Sequence, residues 1–243
     1  MRTAAALIIG NELLSGKVAD ANLVVLARAL RSMGIQLRRV VMILDEIDVI
    51  AREVQILAAS HDVVFTSGGV GPTHDDLTIE GVARAFSVPV VVSPDLDRQL
   101  RDYYGDRATE GHLMMARIPE GARLVASHAI PWPTVVMRNV WLLPGVPQIF
   151  QHKIPLIRAE LAGDKPFVSM AVLTTLDEGQ IKALLDEVVA AHREVEIGSY
   201  PQWTDPECKT KLTFDGLVVE KVRAARDAFA DGLPSGALVR VEG

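Results

Sequence analysis

Two adjacent carboxylates, Asp75 and Asp76, stand on the glycine-rich stretch GGVGPTHDDLT, Gly68 to Thr78. The apolar run DVVFTS precedes it and a helical pattern follows. A loop that leaves a buried strand and enters a helix N-terminus gathers free N–H groups at the positive end of the helix dipole, which suits an anion. Gly68, Gly69 and Gly71 would let the backbone approach a phosphate closely, with Ser67 and Thr73 as hydroxyl donors. A tight turn without a ligand explains the glycines equally well. No lysine follows them as a Walker loop requires, and the spacing is not the dinucleotide fingerprint.

The two aspartates would repel a bare phosphate. Either a divalent cation bridges carboxylate and phosphate oxygens, or a ligand's neutral hydroxyl and amide donors pair with the carboxylates. Magnesium is commonly held by one or two carboxylates plus substrate phosphates. The structural alternative has one aspartate capping the next helix. The expectation is that one of the pair is structural and the other functional.

Other polar residues sit where the same rim would collect them. GNELLSGK follows the first apolar run with Asn11, Glu12, Ser15 and Lys17, and LDEID follows the second with Asp45 and Glu46. LPGVP, Leu143 to Pro147, adds the glycine turn at Gly145. Singly these read as surface loops. Together they form a cluster of acids and amides, provided their strands are parallel neighbours with C-terminal ends on one edge.

The elements that must position them follow from periodicity. AAALIIG, LRRVVMIL and DVVFTS read as strands, with helices between them. Asp20 and Thr78 are the expected N-caps of the first and third helices. This alternation predicts a parallel sheet with helices on both sides. Residues 95–117 read as one or two helices, TVVMRNVWLL as a hairpin turning at Arg138-Asn139, and Pro147 as the first turn of a helix that Pro155 kinks or restarts. AGDKP, residues 162–166, is the expected boundary, giving domains at 1–163 and 167–243. Beyond it the order βαββαβ matches a ferredoxin-like α+β unit.

The net charge of −6 gives no general attraction to nucleic acid or to an anionic membrane. No apolar run reaches membrane-spanning length. A single cysteine, Cys208, excludes an internal disulfide, and the start of the chain is too short and too quickly acidic for a secretion signal. The expected location is cytoplasmic. The histidines suggest no zinc site, although His74 stands beside Asp75. Ser15 and Ser67 have no evident partner base. Trp132 and Trp141 read as core or interface residues, and Lys209 and Lys211 as a solvated strand face.

GNELLSGK…DAN, TSGGVGPTHDDLTIEG and LPGVPQIF resemble the MoaB/Mog molybdopterin-binding domain. They resemble more closely the branch at the N-terminus of the competence-damage-inducible protein CinA and of eukaryotic FAD synthase. EIGSYPQW and KTKLTFDG are similar to the segment that follows it there. The resemblance implies a three-layer αβα domain with a mostly parallel sheet. It implies either molybdopterin binding or metal-dependent hydrolysis of the pyrophosphate bond in ADP-ribose or FAD. It makes Asp75, Asp76, Asp45 and Glu12 the catalytic candidates. It makes the turn Gly68, Gly69, Gly71 and Thr73 the binding loop; with Ser67, Asn11 and Gly145, read from the strand ends above, these are the candidates for phosphate or ligand binding. Asp75, Asp76 and Glu12 are the candidate ligands of Mg²⁺ or Co²⁺.

The implied partner is a small-molecule nucleotide or pterin, with a homodimer or homotrimer as the expected assembly. Asn11 departs from the aspartate of many CinA-type sequences, and SHAIPWPTVV replaces a glycine-rich segment. Neither the amidase domain of CinA nor the adenylyltransferase domain of FAD synthase is expected.

Overall fold

A computed structural model describes residues 1–127, 130–161 and 165–243, with residue 131 described by its backbone alone. His128 and the boundary positions 162–164 lie outside the described residues. The chain divides into two compact units, Met1–Asp164 and Lys165–Gly243.

The first unit opens with β1 (Thr3–Ile9), α1 (Asn11–Leu14), α2 (Asn22–Ser32), β2 (Gln36–Ile43), α3 (Ile47–Ser60), β3 (Val63–Ser67) and α4 (Thr78–Ala85). It continues with β4 (Val90–Val92), α5 (Pro94–Tyr104), a 3₁₀ turn (Gly105–Arg107), α6 (Glu110–Met114) and β5 (Arg117–Pro119). It closes with β6 (Arg123–Ser127), β7 (Ile130–Met137), β8 (Val140–Leu143) and α7 (Pro147–Leu161). Six strands form one sheet in the order β2-β1-β3-β8-β7-β6. The first four are parallel, and β7 runs antiparallel to both its neighbours.

Side-chain alternation along β1 builds the layers. Ala4, Ala6 and Ile8 pack with Leu26 and Leu30 of α2 and Phe150 and Ile157 of α7. Ala5, Leu7 and Ile9 face the other way, onto Ile50, Val54 and Leu57 of α3 and Val82 of α4. A strand buried on both faces lies between two helical layers, which is the expected αβα sandwich. The spacing Ile50, Val54, Leu57 presents one apolar stripe to the sheet. Burying each such side chain contributes about 1.5–3 kcal/mol.

The hairpin turns at Arg138-Asn139 as expected, with Arg138 at φ 53°. Asn139 fixes it by donating to the carbonyls of Ala58 and His61. Asp20 accepts from Leu23 N at 2.8 Å and so covers the start of α2. Thr78 does not cap α4. It is the first helical residue, and its hydroxyl instead donates 2.8 Å to the Gly68 carbonyl. Pro155 does not restart α7, which runs through it as one helix. The short α1, the β4–β5 pair and β6 are additions to the expected elements.

The second unit comprises β9 (Val168–Thr174), α8 (Glu178–Ala191), β10 (Glu196–Pro201), β11 (Thr210–Gly216), α9 (Val219–Asp231) and β12 (Leu238–Glu242). Its antiparallel sheet has the order β10-β11-β9-β12, the ferredoxin-like arrangement of βαββαβ. Val172, Leu212 and Phe214 pack against Ile181 of α8 and Val222 and Phe229 of α9. Asp177 and Gln180 form a capping box at the start of α8. Lys211 pairs with Glu242 at 2.7 Å.

Candidate functional site

The C-terminal ends of β1, β3 and β8 meet in direct backbone contact. Gly68, just after β3, adopts φ +108°, and a Cβ there would lie 2.2 Å from the Ile9 carbonyl oxygen. Its N–H donates to the Leu143 carbonyl at 3.1 Å. Gly145 approaches so closely that its Cβ would stand 3.3 Å from Gly68 Cα. At Gly69, φ +66°, the Thr78 hydroxyl fills the space a side chain would need. Asn22, buried at the start of α2, ties the rim together. Its Nδ2 donates to Ser67 Oγ at 2.9 Å and to the Gly145 carbonyl at 2.8 Å.

Four carboxylates border this backbone junction. Thr73 holds the twin aspartates: its hydroxyl oxygen lies 2.6 Å from Asp75 Oδ1 and 2.5 Å from Asp76 Oδ2, and its N–H donates to Asp76 Oδ2 at 2.8 Å. A hydroxyl carries one proton, so it can donate to only one of the two carboxylates at a time. The Thr73 hydroxyl holds the Asp75 carboxyl below its ordinary range.

Asp45, in the loop after β2, behaves oppositely. Burial, above all, raises its carboxyl from the ordinary 3.8, and the charges of Glu12 and Asp75 add to the rise. The Asn11 N–H, donating to Asp45 Oδ2 at 2.8 Å, works against it. Among the described residues, no three His, Cys, Asp or Glu side chains group closely enough to hold a metal ion alone. Asp75, Asp76 and Glu12 are therefore not a closed protein cage.

A cavity of about 770 Å³ opens at this rim. Gly10, Glu12, Asp45, Gly68, Gly69, Gly71, Asp75, Asp76 and Gly145 line it. Leu96, Leu100, Tyr104, Met115, Trp132, Thr134 and Lys153 are also among its lining residues. Lys153 is only 4% exposed, and burial lowers its pKa from 10.5 to about 8. Its ammonium donates to the carbonyls of Trp132 and Pro133.

Residues 5–161 match the family profile "Probable molybdopterin binding domain". The chain belongs to the molybdopterin-binding domain family of the MoaB/Mog type. Residues 166–242 match a second profile, "FAD synthase, middle domain". A protein named "Probable FAD synthase" from Caenorhabditis briggsae is 33% identical over 257 residues, covering 95% of this chain and 49% of that protein. A CinA-like protein from Desulfosudis oleivorans is 32% identical, covering 69% of this chain and 44% of its own length. The chain thus spans about half the length of these named relatives. The crystal structure of CinA from Thermoplasma acidophilum superposes with a TM-score of 0.61 at 28% identity, covering 66% of this chain and 98% of that one.

Within this molybdopterin-binding domain, the loops after β1, β2, β3 and β8 bring Glu12, Asp45, Gly68, Gly69, Gly71, Asp75, Asp76 and Gly145 to one cavity. Three other sequence candidates support it from outside. Asn11 pairs with Asp45, Ser67 accepts from Asn22, and Thr73 holds the aspartates. His74 points to solvent with its side chain 98% exposed. Trp141 is core, packed against Phe65, whereas Trp132 lines the cavity. The sequence reading did not single out Asn22, Tyr104, Thr134 or Lys153.

Proposed function

We propose that this cavity hydrolyses the pyrophosphate bond of an ADP-ribose- or FAD-like dinucleotide with the help of Mg²⁺ or Co²⁺. The observation that carries this reading is the meeting of a glycine turn and four carboxylates, Glu12, Asp45, Asp75 and Asp76, in one cavity at a parallel-strand rim. The residues fit a cation of this kind. Asp45 is raised partly by neighbouring negative charge, and Asp75 and Asp76 crowd one hydroxyl proton, so a positive charge would relieve both. With no closed cage, the cation would take one or two of these carboxylates and complete its shell from phosphate oxygens and water. When bound there, the cation would supply Lewis-acid chemistry toward the phosphorus and the attacking water.

The chain's own groups have distinct tasks in this scheme. The Gly69–Gly71 backbone approaches and orients a phosphate. Asp45 Oδ2 is engaged by Asn11, which leaves Oδ1 to accept the proton of the attacking water. Water oxygen bonds to phosphorus as the bridging P–O bond breaks. The products are two phosphomonoesters, AMP with either ribose 5-phosphate or FMN.

A second reading is pterin binding without hydrolysis, favoured by the match of residues 5–161 to a molybdopterin-binding profile. Incubation with ADP-ribose or FAD in Mg²⁺, Co²⁺ or EDTA, followed by chromatography for AMP, separates the two. AMP formed with metal and suppressed by EDTA supports hydrolysis. No AMP with any metal, together with tight molybdopterin binding, replaces the first reading with the second.

A further inference from the structure

The six-stranded sheet ends on β2 at one side and on β6 at the other, and the two edges are finished differently. A bare strand edge offers unpaired N–H and C=O groups, and monomeric proteins blunt it with charge, irregularity or shortness. β6 is five residues long, begins with Arg123 and loses its register between Val125 and Ser127. β2 is blunted only in its first half. Leu37 and Arg39 pair with the consecutive residues Ala4 and Ala5 of β1, so Arg38 is the extra residue of a bulge. From Val40 to Leu44 the chain reads VVMIL, regular in register through Ile43 and free of charge, proline or glycine.

The faces of this half-strand follow from its neighbours. Val41 and Ile43 pack into the α3 side of the sheet. Val40 and Met42 stand opposite Ala6 and Ile8, whose side chains face α2, and α2 leaves both exposed. Ile43 turns its carbonyl back to Gly10 N at 3.1 Å, so the adjacent Met42 turns its main-chain groups outward, away from β1. Leu44 is exposed as well, and Leu14, on the α1 helix that contacts β2, extends the apolar strip.

The charges at the ends of the strip select what covers it. The exposed residues Arg38, Val40, Met42, Leu44 and Glu46 read, in order, as a cation, three apolar side chains and an anion. Neither Arg38 nor Glu46 has an ion-pair partner among the described residues. Such a row complements its own reverse. Laid antiparallel on a second copy about a twofold axis at Met42, Val40 meets Leu44, and Arg38 comes to Glu46 at both ends. Glu46 lies past the strand, where the chain turns, so this pair uses the length of the arginine side chain. A twofold at Val40 would instead set Arg38 against Met42 and leave Glu46 without a cation.

We propose that β2 is the dimer contact of this chain. Two copies join edge to edge, β2 antiparallel to β2 in the register centred on Met42, and their two sheets become one. A contact of this isologous kind closes at two copies, so of the expected homodimer and homotrimer it selects the dimer. The inference is independent of what the cavity binds.

Sedimentation velocity of the full chain at micromolar concentration tests it. The wild type should sediment as a dimer. Met42→Lys places two ammonium groups at the twofold and should weaken association about a hundredfold or more, the effect of burying a charge without a partner. Arg38→Glu should weaken it about tenfold by setting like charges together. Adding Glu46→Arg to Arg38→Glu should restore wild-type association, because the exchanged charges meet again in this register.

Met42 is 38% exposed and Glu46 makes no side-chain capping bond to α3, so neither substitution removes a core or capping contact. Thermal melting checks that each variant is folded, and the charge exchange carries the test if Met42→Lys is not. A wild type that is monomeric or trimeric at tens of micromolar would overturn the proposal. So would a dimer unchanged in a folded Met42→Lys, or a charge exchange that does not restore association.

Discussion

The Asn22 side-chain amide donates a 2.8 Å hydrogen bond to the main-chain carbonyl of Gly145, joining the start of α2 to the turn after β8. The same nitrogen donates to Ser67 Oγ at the end of β3, while the buried Asn22 Oδ1 has no partner. One side chain thus sets the spacing between two loops that border the cavity. Replacing it leaves buried acceptors unpaired. Asn22→Ala should therefore lower unfolding free energy by about 1–3 kcal/mol. It should also weaken ligand binding, because the Gly68–Gly145 contact is no longer held. Urea denaturation and ligand titration of the same variant check both effects.

Gly68 and Gly16 make a contrast in backbone demands. Both have positive φ, but a Cβ at Gly68 would strike the Ile9 carbonyl, whereas one at Gly16 meets open space. Gly16→Ala should cost about 1–2 kcal/mol, from backbone strain alone. Gly68→Ala should cost several times as much or fail to fold, since main chain cannot swing aside as a flexible side chain does. Chemical denaturation of the two variants measures the difference.

Asp45 should set the acidic limb of the pH–rate profile. A base must be deprotonated, so activity should fall as pH drops through the pKa that Asp45 has in the cation-loaded chain. Asp45→Asn should remove that limb and reduce kcat by about 10²- to 10⁴-fold. Because the charge of Glu12 contributes to the rise, Glu12→Gln should move the limb to lower pH. A profile whose acidic limb is the same in wild type and Glu12→Gln would remove Asp45 from this role.

Lys153 makes stability depend on pH in the alkaline range. Its folded pKa, about 8, lies below the ordinary 10.5, so between these values the unfolded chain holds a proton that the folded chain has released. Stability from this group therefore rises with pH across that window and is flat on either side. The difference in unfolding free energy between wild type and Lys153→Met should change in that sense from pH 8 to 10.5. A difference independent of pH would mean that the ammonium is not desolvated as described.

Much of this was legible in the sequence because it rests on local pattern. Apolar runs alternating with amphipathic stretches gave the parallel strands, and βαββαβ gave the second unit. The glycine turn with Asp75 and Asp76 marked the rim. Neighbouring parallel strands brought Asp45 and Glu12 to it. What periodicity could not give was the part of the cavity lining that α5, β7 and α7 supply from chain segments far apart in sequence. One signal was nevertheless present. Asn22 lies at the head of the buried stripe Leu26, Ala29, Leu30, and Lys153 stands between Phe150 and Leu156. A polar residue on a core-facing helical stripe needs a partner, and both of these serve the cavity. Thr78 went the other way: its position suggested a cap, but the Gly68 carbonyl offered its hydroxyl a buried acceptor.

The central claim is that the acidic rim and a pyrophosphate hold one cation between them. Mn²⁺ binding, read by electron paramagnetic resonance with a non-hydrolysable methylene analogue of ADP-ribose, tests it most directly. Tight Mn²⁺ binding should require the analogue, because the carboxylates alone form no closed cage. It should disappear in the double variant Asp75→Asn, Asp76→Asn. Equal Mn²⁺ binding by wild type and double variant in the presence of the analogue would contradict the account.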